Sequence, residues 1–243
     1  MMIESAIKVL WDGDSMLAVE KPAGLSTQSP PGNDSLESRL RTQLSGRSDY
    51  FAVVHRLDRP VSGVVLIALR KRVAKLLSEQ FATRKVDKHY LAVVEGNIEP
   101  VEQLWTDYLR KVPNQPRAER VTENDPDAKF AETRVEVVRY CSKLDRTLVR
   151  LFPHTGRMHQ LRIQSALRGH RILGDSLYDN HDSDEDTIVS ENRESDLTRA
   201  SAGLPSPNQT RIMLHAESIT FHHPKSGVRV TVQCPADELQ QIV

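Results

Sequence analysis

Short apolar runs divided by turn residues dominate the chain. Residues 17–20 read as a strand that stops at Lys21-Pro22-Ala23-Gly24, a turn signal. Residues 26–35 are loop by composition, and residues 36–44 suit a short helix. Two apolar runs, 51–54 and 64–69, bracket the polar stretch His55–Gly63, a loop carried on strand ends. Val73, Leu76, Leu77, Gln80 and Phe81 recur at helical spacing and predict a helix over 70–84. Residues 89–94 read as a strand, 130–140 and 146–152 as a pair of strands, and 157–167 as a helix ending at Gly169. Residues 213–221 and 228–232 alternate around Pro224–Gly227 and predict a hairpin. Many short strands with two or three helices predict an α+β fold around a mixed, mainly antiparallel sheet.

Two stretches break this pattern. Residues 109–127 read as a Pro-containing excursion between strands. Residues 179–209 are acidic, contain Ser and Asn, and close with Pro205 and Pro207; they read as a flexible insertion in a single domain spanning 1–243.

The chain of 243 residues has 33 basic and 33 acidic side chains and a formal net charge of zero, which argues against an evenly basic surface. The distribution is uneven. Eight carboxylates fall between Asp179 and Asp196 against Arg193 alone, whereas 55–72, 84–88 and 154–171 are rich in Arg, Lys and His. The remaining body is mildly basic, so a positive cleft is expected. Cys141 and Cys234 have no CxxC spacing, so neither a thiolate zinc site nor a disulfide framework is indicated. No signal peptide is evident at the start and no apolar run approaches 18 residues, so a cytoplasmic protein without membrane attachment is expected.

Three clusters can carry chemistry. His55-Arg56-Leu57-Asp58-Arg59 sets one carboxylate among two guanidinium groups and an imidazole. An Asp beside Arg stays ionised, which suits a nucleophile or a stabiliser of positive charge; an ion-pair network on a surface loop has the same composition. Thr155 through Arg162 offers Arg157, His159 and Arg162 near a helix start, where free amides can meet a phosphate; a capped amphipathic helix reads the same way. Lys88-His89-Tyr90 opens a strand, and Tyr90 is either a base-stacking ring or an aromatic at the core edge. No HExxH, P-loop, dinucleotide fingerprint or GxSxG elbow occurs, which weighs against zinc hydrolysis, phosphoryl transfer, nicotinamide redox and serine hydrolysis.

Taken together and in order, these motifs resemble the RluA-type RNA pseudouridine synthases. Lys21-Pro22-Ala23-Gly24, His55 through Gly63, Lys88 through Gly96, Thr155 through Arg162, Gly169 through Asp175 and Leu214-His215-Ala216 carry the resemblance, over roughly residues 10–235. It implies a sheet split into two subdomains with a catalytic cleft between them. It implies Asp58 as the essential carboxylate, paired with Arg162, and Tyr90 against the target base, assisting proton transfer. It places Arg56 in the space left by a flipped nucleotide, His55 at the same rim and Ile163 as an apolar wall. Arg56, Arg59, Lys88 and Arg157 are the expected phosphate contacts. Three departures stand out. Val61 replaces the usual threonine, residues 25–28 lack the family's His-Pro, and no N-terminal S4 domain is expected.

The implied reaction detaches uracil from C1′ and rejoins it through C5. It is redox-neutral, so no cofactor and no metal are expected. Asp58 attacks C1′ or removes the C2′ proton; both routes fit. The expected partner is structured RNA with a flipped uridine, transfer RNA ahead of ribosomal RNA, with no obligatory protein partner and a monomeric chain. A non-catalytic RNA-binding module on the same fold is the rival reading.

Overall fold

The computed structural model describes residues 6–178 and 211–243. The 179–209 insertion therefore lies outside the described residues. Eleven strands form one mixed sheet. In chain order they are β1 (Val9–Asp12), β2 (Met16–Lys21), β3 (Ala52–Val53), β4 (Ser62–Ala68), β5 (Asp87–Glu95), β6 (Glu102–Lys111), β7 (Ala118–Val121), β8 (Lys129–Cys141), β9 (Arg146–Pro153), β10 (Leu214–His222) and β11 (Arg229–Gln233). The helices are α1 (Leu36–Gln43), α2 (Lys71–Ala82), α3 (Gln160–Ala166) and α4 (Asp237–Gln240).

The spatial order is β1-β2-β4-β10-β5-β9-β8-β6-β7, with β3 paired to β4 and β11 to β10. All pairings are antiparallel except β4 with β10, which touch through only two registered positions, His215 opposite Ser62 and Ala216 opposite Gly63. Among the described residues β10 is thus the one strand that bridges an arm made of β1–β4 and an arm made of β5–β9. At this crossing Gly63 has φ +122°, and a Cβ there would lie 2.4 Å from the Ala216 carbonyl oxygen. Only glycine permits so close a backbone approach.

β4 is buried along its whole length, because β2 and β3 pair with it and α2 packs over it through Val73, Ala74 and Leu77. Burial of a Val or Leu side chain of this kind contributes roughly 2 kcal/mol. α1 starts at a capping box in which the Ser35 hydroxyl accepts from Ser38 N and the Ser38 hydroxyl accepts from Ser35 N. Among the described residues no helix is long and apolar enough to cross a membrane.

Most predicted elements lie where the pattern put them, with two corrections. The 109–127 excursion is instead the end of β6, a turn and β7, paired from Tyr108–Val121 to Lys111–Ala118. The buried positions of β6 include Asp107 as well as Trp105 and Leu109, while Leu104 is exposed, so polarity does not alternate with burial there. The helix predicted over 157–167 begins at Gln160, because His159 adopts a left-handed backbone (φ 51°, ψ 24°) and ends the preceding turn.

Candidate active site

A cavity of about 980 Å³ opens between the loop that precedes β4 and the segment that follows β9. That volume is at the upper end of small-molecule pockets and leaves room for a nucleotide with flanking backbone.

The loop bearing Asp58 is tied down on both sides. The buried Thr27 hydroxyl donates to the Leu57 carbonyl at 2.7 Å and accepts from Leu57 N at 3.2 Å. Gly24 N donates to the Arg59 carbonyl at 2.9 Å, and Arg59 Nε returns a bond to the Gly24 carbonyl at 2.9 Å. Beneath the loop, the fully buried Lys21 Nζ donates to the carbonyls of Pro22, Leu25 and Arg59 at 2.9, 2.7 and 3.2 Å. Burial pushes its pKa down to about 7, opposed by the nearby Asp58 carboxylate. Three acceptors match the three protons of an ammonium, which also favours the charged form. Read alone, this motif predicts a plain turn, and with Glu20 beside it nothing in the strand's pattern marks Lys21 as buried.

The opposite wall is α3 and the turn before it. All seven residues of α3 are buried, although its sequence is half polar. A chain of side-chain hydrogen bonds makes this possible. Thr155 Oγ1 donates to Gln160 Oε1 (2.7 Å), Gln160 Nε2 donates to Thr133 Oγ1 (2.9 Å), and Thr133 Oγ1 donates to Gln164 Oε1 (2.6 Å). Gln164 Nε2 then donates to Asp107 Oδ2 (2.8 Å). This network bolts α3 to β6 and β8 and fixes Arg162.

Arg162 forms a two-point pair with Asp175, Nε to Oδ2 and Nη2 to Oδ1, both 2.6 Å. Its remaining Nη1 lies 3.5 Å from Asp58 Oδ2. Burial opposes the Arg162 cation, but the Asp175 carboxylate and then Asp58 outweigh it, and the pKa is raised above its ordinary value. Arg162 therefore faces two carboxylates of unequal burial. The Asp58 side chain is 33% exposed, and the carboxylate that compensates Arg162 is Asp175, 1% exposed. Asp175 sits in the Gly169–Asp175 motif, to which the sequence reading gave no role.

Tyr90 lies on β5 between Ala216 of β10 and Leu151 of β9, at the floor of the cavity. Burial first, and Asp58 second, push its phenol above the ordinary range, so it keeps its proton at neutral pH. His55, Arg56, Arg59, Lys88 and Arg157 also line the cavity. His55 has a dual position. Its Nε2 accepts from Leu66 N at 2.9 Å and its ring packs on Phe81 at 4.7 Å, so one nitrogen is spent on the fold. Burial drives its pKa down to about 3, helped by the Lys88 cation. Lys88 Nζ donates to the Thr155 carbonyl at 3.3 Å, and burial lowers its pKa to about 8, opposed by Asp87.

Two expectations fail. Ile163 is not in the cavity wall; it packs with Leu109, Ala118, Ala131, Ala166 and Tyr178 under α3. Leu161, two positions earlier, faces the cavity instead, beside Leu57, Val61, Val86 and Leu214. The amides proposed to receive a phosphate are also engaged in part, since Arg157 N donates to Gln160 Oε1 at 2.9 Å.

Charge in the cavity is lopsided. Arg56, Arg59, Arg84, Lys88, Lys111, Lys129, Arg157 and Arg162 line it, and among the described residues Asp58 is its only carboxylate. Arg56, Arg84, Lys111 and Lys129 make no ion pair among the described residues, so their charge is available to a polyanion. Arg84, Lys111 and Lys129 were missed from sequence because they come from separate elements.

Comparison with known proteins agrees with this arrangement. The family model for RNA pseudouridylate synthase matches residues 15–167. The chain is 34% identical to tRNA pseudouridine synthase C of Pasteurella multocida, over 96% of this chain and 92% of that protein. It is also 34% identical to the dual-specificity RNA pseudouridine synthase RluA of Escherichia coli K12, over 96% of this chain and 95% of that one. The solved structure of human RNA pseudouridylate synthase domain containing 4 superposes with a TM-score of 0.72 at 22% identity, covering 97% of this chain and 91% of that one, and so shares the fold. With a lone carboxylate in a cationic cleft and matches across nearly its whole length, the chain belongs to the RNA pseudouridylate synthase family, whose members isomerise uridine in RNA.

Proposed function

We propose that this chain converts a uridine of transfer RNA to pseudouridine, with Asp58 as the reacting carboxylate. The observation that carries the reading is the isolation of Asp58 among eight cations in one cavity, with Arg162 Nη1 at 3.5 Å. A flipped nucleotide brings its phosphates to the cationic rim and its ribose to Asp58. Base flipping costs a few kcal/mol and is cheapest in loops, which directs the enzyme to unpaired or bulged uridines. The apolar walls at Leu57, Val61 and Leu161 exclude water while the uracil is free. Tyr90 supplies a stacking face for the base and assists removal of the C5 proton once C5 has joined C1′. Arg56, Arg59, Lys88 and Arg157 contact phosphates, which position RNA without reading its sequence. The enzyme works as a single chain in the cytoplasm, and the redox-neutral reaction needs no cofactor.

Transfer RNA is put ahead of ribosomal RNA because tRNA pseudouridine synthases C match this chain at 31–34% identity over 96–97% of it. The tRNA pseudouridine synthases C are matched over 92–95% of their length. The ribosomal large subunit pseudouridine synthase C of Escherichia coli K12, 32% identical, is covered over 66%. The E. coli relative of dual specificity keeps the ribosomal substrate as the second reading. Mapping pseudouridine in total RNA with and without the gene separates them. Loss of a tRNA position is expected; loss confined to ribosomal RNA overturns the choice. Asp58→Asn is expected to abolish tritium release from [5-³H]uridine RNA while retaining RNA binding, and substantial turnover by that variant overturns the assignment of Asp58.

A further inference from the structure

His159 is the residue that breaks the expected helix. Its left-handed backbone is uncommon for a non-glycine residue and costs on the order of 1 kcal/mol. The conformation is locked by what the ring does. Nδ1 lies 2.9 Å from the Tyr178 hydroxyl, and that oxygen also lies 2.8 Å from Ala118 N. Ala118 N can only donate, so the Tyr178 oxygen accepts from it. Tyr178 is 6% exposed, and the acceptor in reach of its own proton is His159 Nδ1. A buried hydroxyl that withholds its proton is costly. The hydroxyl therefore donates to Nδ1, and the imidazole proton resides on Nε2.

Nε2 points into the cavity, 3.7 Å from Asp58 Oδ2, the same oxygen that Arg162 Nη1 faces at 3.5 Å. Asp58, Arg162 and Asp175 face the ring, and Tyr178 sits edge-on to it at 5.8 Å between centroids, with the Arg117 guanidinium 5.9 Å from the Tyr178 ring centre. Burial, the leading influence, lowers the His159 pKa; Asp58 and Asp175 oppose it and Arg162 adds to it. The ring therefore meets the carboxylate as a neutral N–H donor at pH 7.

We propose that His159 is a positioning residue for Asp58: Tyr178 fixes its tautomer so that Nε2–H and Arg162 together hold one carboxylate oxygen, leaving the other to meet the ribose. The observed 3.7 Å tightens to a hydrogen bond when RNA closes the cavity, as catalytic contacts in empty sites commonly do. This inference rests on Asp58 being the reacting carboxylate.

The test uses single-turnover tritium release with saturating [5-³H]uridine transfer RNA, RNA affinity by filter binding, and a pH profile. A hydrogen bond to a charged group corresponds to roughly a 10- to 100-fold effect on rate. His159→Ala and His159→Asn are expected to lose that factor with RNA affinity unchanged. His159→Gln, whose amide nitrogen reaches the place of Nε2, is expected to recover most of it. Losing a donor destabilises the carboxylate anion, so the acid limb of the rate profile is expected to move to higher pH in His159→Ala. Tyr178→Phe, which frees the tautomer, is expected to shift it the same way by less. A purely structural histidine would change thermal stability and leave the acid limb in place. Unchanged rates and limbs in the His159 variants and in Tyr178→Phe overturn the proposal. If Asp58→Asn is inactive in the same assay, only the His159 inference falls; if Asp58→Asn turns over, the functional reading falls with it.

Discussion

At the scale of residues, the site is a balance of three carboxylate–cation distances. Asp175 is the partner that makes a buried Arg162 tolerable, and removing one member of such a pair costs more than the pair contributes. Asp175→Asn is expected to destabilise the protein by about 3 kcal/mol. In a chain of this size that corresponds to a fall in Tm of roughly 6–12 °C, readable by thermal unfolding; an unchanged Tm contradicts the assignment. His55 gives a second expectation. Its native pKa of about 3 lies below the ordinary 6.5, so between those values the unfolded chain binds one more proton than the native one. The stability it contributes is present above pH 6.5 and is lost as pH falls toward 3. The urea midpoint of the wild type should therefore drop from pH 7 to pH 4, and less steeply in His55→Gln, which keeps an acceptor for Leu66 N without titrating there. Equal slopes would show that His55 is not held neutral. Asp58, Tyr90 and Arg162 were legible from the motifs that carry them. Asp175 and Lys21 were not, because a buried charge leaves no trace in periodicity and its partner is distant in sequence.

At the scale of elements, strands and α2 were readable because an alternating or helical stripe of aliphatics meets one core. β6 and β7 were not, because Asp107 occupies a buried position and Leu104 an exposed one. α3 was misplaced at its start, since a left-handed His159 is a decision of tertiary contacts rather than of local propensity. The crossing of β4 and β10 depends on one residue. Gly63→Ala must place a methyl within 2.4 Å of the Ala216 carbonyl and adopt φ +122°. Overpacking and backbone strain together are expected to cost about 2–5 kcal/mol. Circular dichroism melts and soluble yield would read this, and a variant as stable as the wild type would contradict the tight crossing.

At the scale of the whole molecule, a formal net charge of zero conceals a cavity lined, among the described residues, by eight cations and one carboxylate. Sequence could show that basic segments existed but not that the fold gathers them, since Arg56, Lys88, Lys111 and Arg157 come from different elements. If four of these side chains meet phosphates, the slope of log affinity against log salt should be about −3. A flat dependence measured by filter binding would contradict a phosphate-lined cleft. The bridging place of β10 has a consequence for biosynthesis. The strand that joins the two arms is translated after both of them, so a nascent chain halted before Leu214 holds two unconnected half-sheets with open edges. Until that late strand is made, the Asp58 loop and the Arg162 wall are expected to lack the shared strand that sets their register. Chains halted at that stage are expected to be inactive and to present the unpaired strand edges that chaperones shield.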